Sequence, residues 1–188
     1  MGDVAVLYVD LDGTVRKGKT ELGRFVNGPE DVEVFPEALV MMRRWKDDGG
    51  LIVAVTNQGG PALGLVGVDQ VWDAITETRA QCEGLLDAVH VCLHHPDAPV
   101  PIDARCWCRK PSAGAIAEAA NQLRNRGQIG ETYPPHMGLM VGDRPEDEAC
   151  AEAAGLDFMW AAEWRALAAQ PVPVRPAVVG DEAPPDDL

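Results

Sequence analysis

Residues 4–9 read Val-Ala-Val-Leu-Tyr-Val, a run with no charged side chain to turn toward water. A strand with one solvated face alternates apolar and polar residues, so an unbroken run must be covered on both faces, as in a parallel sheet packed between helices. Similar short runs recur at 51–55, 88–93, 137–141 and 157–160. Between them the spacing is helical. Ala38, Leu39, Met42 and Trp45 follow Pro36 and stop at Gly49-Gly50. A second helix is predicted over about 69–86, with Val71, Ala74, Ile75, Cys82 and Leu85 on its apolar side. Ser112 is predicted to cap a third through Ile116, Ala120 and Leu123 to Gly127, and 146–154 a fourth, closed by Gly155. Segment 15–35 reads as a loop with a small hairpin near 32–35, and 97–107 as loop. Strands alternating with helices predict an α/β domain built on a central parallel sheet with right-handed crossovers. One domain over 1–169 and a Pro-rich acidic tail over 170–188, expected to be disordered, account for the 188 residues.

Ligands of such sheets bind outside the carboxyl ends of the strands. Asp10, Thr56, a Cys-His cluster at 92–95 and Asp143 each follow a predicted strand directly, so one fold assumption brings them to one edge. Four strings supply the chemistry: Asp10-Leu11-Asp12-Gly13-Thr14, Thr56-Asn57-Gln58, Arg109-Lys110-Pro111 and Gly142-Asp143-Arg144-Pro145-Glu146-Asp147. Mg²⁺ takes a few hard oxygens and keeps its other positions for water or phosphate, so Asp10 and Asp143, with Asp147 as a further candidate, suffice to hold it. A carboxylate beside that ion can attack phosphorus, and a second one two residues on can move the proton. Lys110, the Thr56 hydroxyl and backbone amides suit the equatorial phosphoryl oxygens.

These four strings, in this order, resemble motifs I to IV of the haloacid dehalogenase superfamily of phosphohydrolases, over residues 4 to about 160. The resemblance implies a three-layer, Rossmann-like fold and makes Asp10 the nucleophile and Asp12 the general acid/base. It makes Thr56 and Lys110 phosphate ligands, and forms the Mg²⁺ site from the Asp10 and Asp143 carboxylates with the Asp12 carbonyl. Asn57, Arg109, Gly13 and Thr14 become substrate-binding residues, and Asp147 supports the metal site. Cys92-x-His94-His95-Pro96 followed by Cys106-x-Cys108-Arg109-Lys110-Pro111 is similar to the zinc loop of heptose bisphosphate and histidinol-phosphate phosphatases, which have no large cap domain. That implies structural Zn²⁺ on Cys92, His94, Cys106 and Cys108, with His95 the alternative imidazole. Leu11 departs from this subgroup, where Arg is usual, and the basic segment Arg16 to Lys19 has no counterpart there.

The expected activity is therefore removal of phosphate from a small phosphorylated metabolite, a heptose bisphosphate ahead of histidinol phosphate. A polynucleotide 3′-phosphatase is the alternative: Arg16, Lys17 and Lys19 favour it, and a net charge of -14 opposes it, since no global excess of cations exists to displace counterions from a polyanion. A phosphoacceptor signalling domain would need its phosphorylated Asp on a middle strand that here ends in Thr56. A bare zinc module would leave Asp10, Asp12 and Asp143 without a role. The apolar run at 4–9 is too short for a signal sequence or membrane span, and Cys beside His reads as metal binding before disulfides. A cytoplasmic monomer without membrane contact is expected.

Overall fold

The structure is a computed structural model that describes residues 4–20, 26, 28–130 and 138–171. Its centre is a five-stranded parallel sheet of β1 (Val6–Val9), β4 (Leu51–Asn57), β5 (Ala88–Cys92), β6 (Gly138–Gly142) and β7 (Asp157–Trp160). A separate antiparallel pair joins β2 (Arg16–Gly18) to β3 (Val32–Val34). The order in the large sheet is β5-β4-β1-β6-β7, so the chain leaves β1 first toward one edge and later returns to build the other. The reversal falls beside β1, where an open α/β sheet forms its binding crevice.

Both faces of β1 are buried, as its apolar run requires. Leu7 and Val9 join a core with Met42 of α1 (Pro36–Asp47), Ala74 and Ile75 of α2 (Val68–Gln81) and Trp164 of α6 (Ala161–Ala166). Val6 and Tyr8 face the opposite core, with Ile116 and Leu123 of α4 (Gly114–Asn125) and Cys150 of α5 (Pro145–Ala154). The result is three layers, helices on sheet on helices. At the carboxyl edge the described residues add the small β2-β3 pair and the loop after β5 with its four-residue helix, and among them no large cap is evident.

Several boundaries differ from the sequence reading. The strand expected to stop at Val55 runs on to Asn57, because Thr56 and Asn57 still pair with Val91 and Cys92. The second helix ends at Gln81, where the chain turns through left-handed Glu83 (φ 54) and Gly84 (φ 79); Leu86 is buried without being helical. Ser112 does not cap: its hydroxyl donates to the Trp107 carbonyl (2.6 Å), and α4 begins two residues later. The loop at 97–107 contains the short helix α3 (Pro101–Ala104). Residue 137 and tail residues 172–188 lie outside the described residues, as do most of 21–27. No helix among the described residues is long and apolar enough to cross a membrane.

Candidate active site

Asp10 continues β1 by one residue, its N–H donating to Val141 O (2.9 Å). The chain then folds into a tight turn in which the Leu11 carbonyl accepts the N–H groups of Thr14, Val15 and Arg16. This turn brings Asp12 to the same crevice as Asp10, Thr56, Asn57, Lys110 and Asp147. Arg165 of α6 secures it from outside, donating to the carbonyls of Gly13 and Thr14 (both 2.7 Å) while its guanidinium lies over the Phe35 ring, 4.1 Å from the centroid.

Lys110 is the hub of the crevice. Only 3% exposed, its Nζ reaches Asp10 Oδ1 (2.5 Å), Asp147 Oδ1 (2.7 Å) and the Val55 carbonyl (2.8 Å). Burial alone would lower its pKa, but the two carboxylates outweigh it and hold the ammonium above the ordinary lysine range. Burial pushes the Asp10 carboxyl up to about 7; Lys110 pulls the other way, and Asp147 and Asp12 add to the rise. Asn57 sets the Lys110 backbone: Oδ1 accepts from Lys110 N (3.0 Å) and Nδ2 donates to Lys110 O (3.1 Å). Thr56 is buried, its Oγ1 accepting from Gln58 Nε2 (2.9 Å), and the same amide donates to Asp12 Oδ2 (2.5 Å).

On the far side, Asp143 follows β6 and Asp147 lies in the first turn of α5. Asp147 Oδ2 accepts the N–H groups of Asp143 and Arg144 (both 3.1 Å), and its other oxygen meets Lys110, so both its oxygens are engaged. Asp143 is half-exposed, and burial with the charge of Asp147 raises its pKa against Arg144 and Lys110. Carboxylate oxygens of Asp10, Asp143 and Asp147 lie within 4.8 Å of one another, a set of hard donors that fits Mg²⁺. Asp147 is engaged through both oxygens, whereas Lys110 meets Asp10 at Oδ1, an arrangement that favours Asp10 and Asp143 over Asp147 as ligands of the ion.

Gly13 makes that pair possible. Its φ is 92°, which disfavours any other residue, and a Cβ there would run into the Asp143 carboxylate. Gly13→Ala is expected to displace Asp143 and lower turnover of a phosphomonoester by about 100-fold, and to lower Tm by roughly a few °C because an L-residue is strained at that φ. Activity within a few-fold of the unsubstituted chain would show that Asp143 tolerates displacement.

Beside the crevice, the Cys-His loop closes on itself. Cys92 Sγ lies 3.6 Å from both Cys106 Sγ and His94 Nδ1, and Cys108 Sγ lies 3.5 Å from His94 Nδ1. Tetrahedral Zn²⁺ with bonds of about 2.3 Å to sulfur and about 2.0 Å to nitrogen has cage edges of roughly 3.5 to 3.8 Å, so these donors match. Burial raises the Cys92 thiol above its ordinary pKa. His94, the imidazole favoured from sequence, joins the cluster; His95 instead accepts from Asp97 N (3.1 Å). Four protein donors leave no open position, which is the form of a structural site. Its consequence for the crevice is positional, since Lys110 follows Cys108 by two residues.

Other sequence candidates divide. Arg109 donates to His94 O (2.9 Å) and lines a neighbouring cavity of about 340 Å³ with Gln58, His95 and Arg144. Thr14 is fully buried, so the substrate contact expected of its side chain is not available in this structure. Asn57, expected to touch substrate, lines the crevice but spends its amide on Lys110. The basic segment is open only in part, with Lys17 and Lys19 exposed and Lys17 lining a cavity beside Asp12 and Asp143. Arg16 is buried against Asp12, Lys17 pairs with Glu33 (3.1 Å), and Lys19 donates to Glu30 O (2.9 Å). Sequence reasoning counted Arg16 only among cations favouring a nucleic-acid end and gave no role to Gln58 or Arg165; for Gln58 its place in the Thr-Asn-Gln string was the signal.

Comparison with known proteins agrees with this geometry. The HAD-hydrolase-like family model matches residues 107–163. A D-glycero-beta-D-manno-heptose-1,7-bisphosphate 7-phosphatase of Haemophilus ducreyi is 32% identical, covering 83% of this chain and 81% of its own length. A D-glycero-D-manno-heptose-1,7-bisphosphate 7-phosphatase of Chlorobaculum tepidum is 30% identical over 83% of this chain and 77% of its own. Among solved structures, D,D-heptose 1,7-bisphosphate phosphatase from B. bronchiseptica, complexed with magnesium and phosphate, superposes with a TM-score of 0.64 at 25% identity, covering 82% of this chain and 79% of that one. With the aspartate pair just beyond β1, the Lys110 hub and Asp143 on one sheet edge, the chain belongs to the haloacid dehalogenase superfamily of phosphohydrolases.

Proposed function

We propose that this chain is a Mg²⁺-dependent phosphomonoesterase that releases one phosphate from a heptose bisphosphate through an aspartyl phosphate on Asp10. The observation that carries the reading is the position of Asp10: buried at the end of the central strand, held by Lys110, and with the Asp143 carboxylate close enough to share a cation. Asp10 Oδ attacks phosphorus as the bond to the leaving oxygen breaks, and Asp12 gives that oxygen its proton. Asp12 then takes a proton from water as the water oxygen attacks the same phosphorus. The phosphorus bond to Asp10 breaks, freeing phosphate and returning the carboxylate. Mg²⁺ on Asp10 and Asp143, with the Asp12 carbonyl, would neutralise phosphoryl charge. Lys110 and Thr56 serve the equatorial oxygens, Lys110 being close enough to follow charge from Asp10 to the phosphoryl group.

The names of the relatives support the sugar bisphosphate. So does the neighbouring cavity, where Arg109 and Arg144 offer cations to a second phosphate. A nucleic-acid end is disfavoured by the net charge of -14 and by the burial of Arg16 against Asp12, which removes one of the three cations that would favour it. Phosphate release should be measured with Mg²⁺ on D-glycero-D-manno-heptose 1,7-bisphosphate, histidinol phosphate and a 3′-phosphorylated oligonucleotide. The heptose bisphosphate is expected to have a kcat/KM at least ~100-fold above the others; preference for the oligonucleotide would overturn the substrate assignment. Action in the cytoplasm as a monomer belongs to the same proposal.

A further inference from the structure

The turn that carries Asp12 holds a second charged residue whose placement the phosphatase reading leaves unused. Arg16 is 1% exposed, although arginine is seldom buried without a specific partner. Its partner is Asp12. Nε meets Asp12 Oδ1 at 2.8 Å, and Nη2 lies 3.4 Å from Asp12 Oδ2. The outer end of the guanidinium is fixed on α2, where Nη1 donates to Thr78 Oγ1 (2.6 Å) and to the Ala74 carbonyl (3.1 Å). Thr78 is itself fully buried and donates its hydroxyl proton to Ala74 O (2.6 Å), so the anchor has one geometry. The main chain of Arg16 closes the same turn: its N–H donates to Leu11 O (2.9 Å), and its carbonyl accepts from Gly13 N (2.8 Å).

Asp12 is thus gripped from two sides. Arg16 takes Oδ1 edge-on, while Gln58 takes Oδ2 from β4. A carboxylate with one free end rotates about its last torsion, which is broad and roughly two-fold, so proton transfer to a fixed substrate oxygen needs that torsion set from outside. A planar fork of donors can do this; a single ammonium cannot match it. A buried ion pair is poor evidence of added stability, since desolvating two charges offsets most of their attraction, so a role in orientation explains the pair better than a role in folding.

We propose that Arg16 is the positioning residue for Asp12: its buried guanidinium, anchored on α2 through Thr78 and Ala74, sets the Asp12 carboxyl in the orientation that proton transfer requires. The inference rests on the reading of Asp12 as the general acid/base. It also links catalysis to α2, a helix that contributes no residue to the acidic crevice.

The test uses leaving groups. kcat/KM reports the steps through formation of the aspartyl phosphate, and there p-nitrophenolate departs with little need of a proton whereas a sugar alkoxide needs one. Arg16→Met is expected to lower kcat/KM on a sugar phosphate by about 100-fold, the scale of general acid catalysis, and on p-nitrophenyl phosphate by less than about 5-fold on the same scale. Arg16→Lys, which keeps charge without the fork, should fall between. Asp12→Asn runs alongside. If it leaves sugar phosphate turnover unimpaired, the reading of Asp12 fails; if it splits the two substrates while Arg16→Met lowers both equally or neither, the positioning proposal alone fails. Should Arg16→Met not fold, as judged by circular dichroism and thermal melting, Thr78→Val loosens the anchor and leaves the ion pair in place. A preferential loss on the sugar phosphate then supports the proposal, and an equal response on both substrates overturns it.

Discussion

Asp10→Asn is expected to lower phosphate release by ~10⁴-fold or more, the scale seen when a nucleophile is removed from a catalytic unit whose other members stay in place. The amide keeps the shape of the carboxyl but lacks a free anionic lone pair to attack phosphorus, so no aspartyl phosphate forms. The fold should survive the change. Lys110 retains Asp147 at 2.7 Å and the Val55 carbonyl at 2.8 Å, so its ammonium is not left alone in a buried site. Phosphate release would be followed on a sugar phosphate and on p-nitrophenyl phosphate, because a missing nucleophile abolishes turnover whatever the leaving group. Turnover within tenfold of the unsubstituted chain would remove Asp10 from its role.

The second large effect is expected from the Cys-His cluster. Stripping Zn²⁺ with a chelator, or replacing Cys106 with Ser, should lower Tm by about 10 °C, which for a domain of this size corresponds to several kcal/mol; structural zinc contributes binding energy of that order or more to folding. Apart from the four residues of α3, the segment between Cys92 and Cys108 has no helix or strand of its own, so the cluster carries much of its order. Activity should fall less than stability, because Asn57 still brackets the Lys110 peptide from β4 once the cluster is open. A decline of roughly 10- to 100-fold is the expected range for a misplaced positioning element. Thermal melting, phosphate release and metal content would be measured on the same samples. Unchanged Tm in protein shown to be free of zinc would refute the structural role.

Much of this molecule was legible because its strands are buried on both sides. A run such as 4–9 suits a strand covered on both faces, and in a parallel sheet the residue after it, Asp10, has a foreseeable address. The same logic brought Thr56 and Asp143 to one edge. What escaped was whatever depends on a partner distant in sequence. Arg16 reads as one more surface cation until Thr78, 62 positions away, is seen to hold it. Asn57 is expected at the substrate by resemblance alone, and the Lys110 peptide that its amide holds arrives from 53 residues downstream, beyond the reach of local pattern. Ser112 had the chemistry of a helix cap, and a nearer acceptor, the Trp107 carbonyl, took its hydroxyl. Local pattern gives positions along the chain; competition among partners decides which way polar side chains turn.

The strand order gives the two metal-binding regions unequal surroundings. β1, which presents Asp10, is flanked by β4 and β6 and covered by helices on both faces, whereas among the described residues β5, which presents Cys92, is an edge strand with one side unpaired. Fraying begins at edges, where fewer bonds must break. A cross-link of sulfur and imidazole at the end of β5 therefore secures one of the two margins of the sheet, β7 being the other. The aspartates sit in the interior, which its neighbours already hold, while Lys110 reaches them from the border, so the hold on that border is felt at the centre through a single side chain.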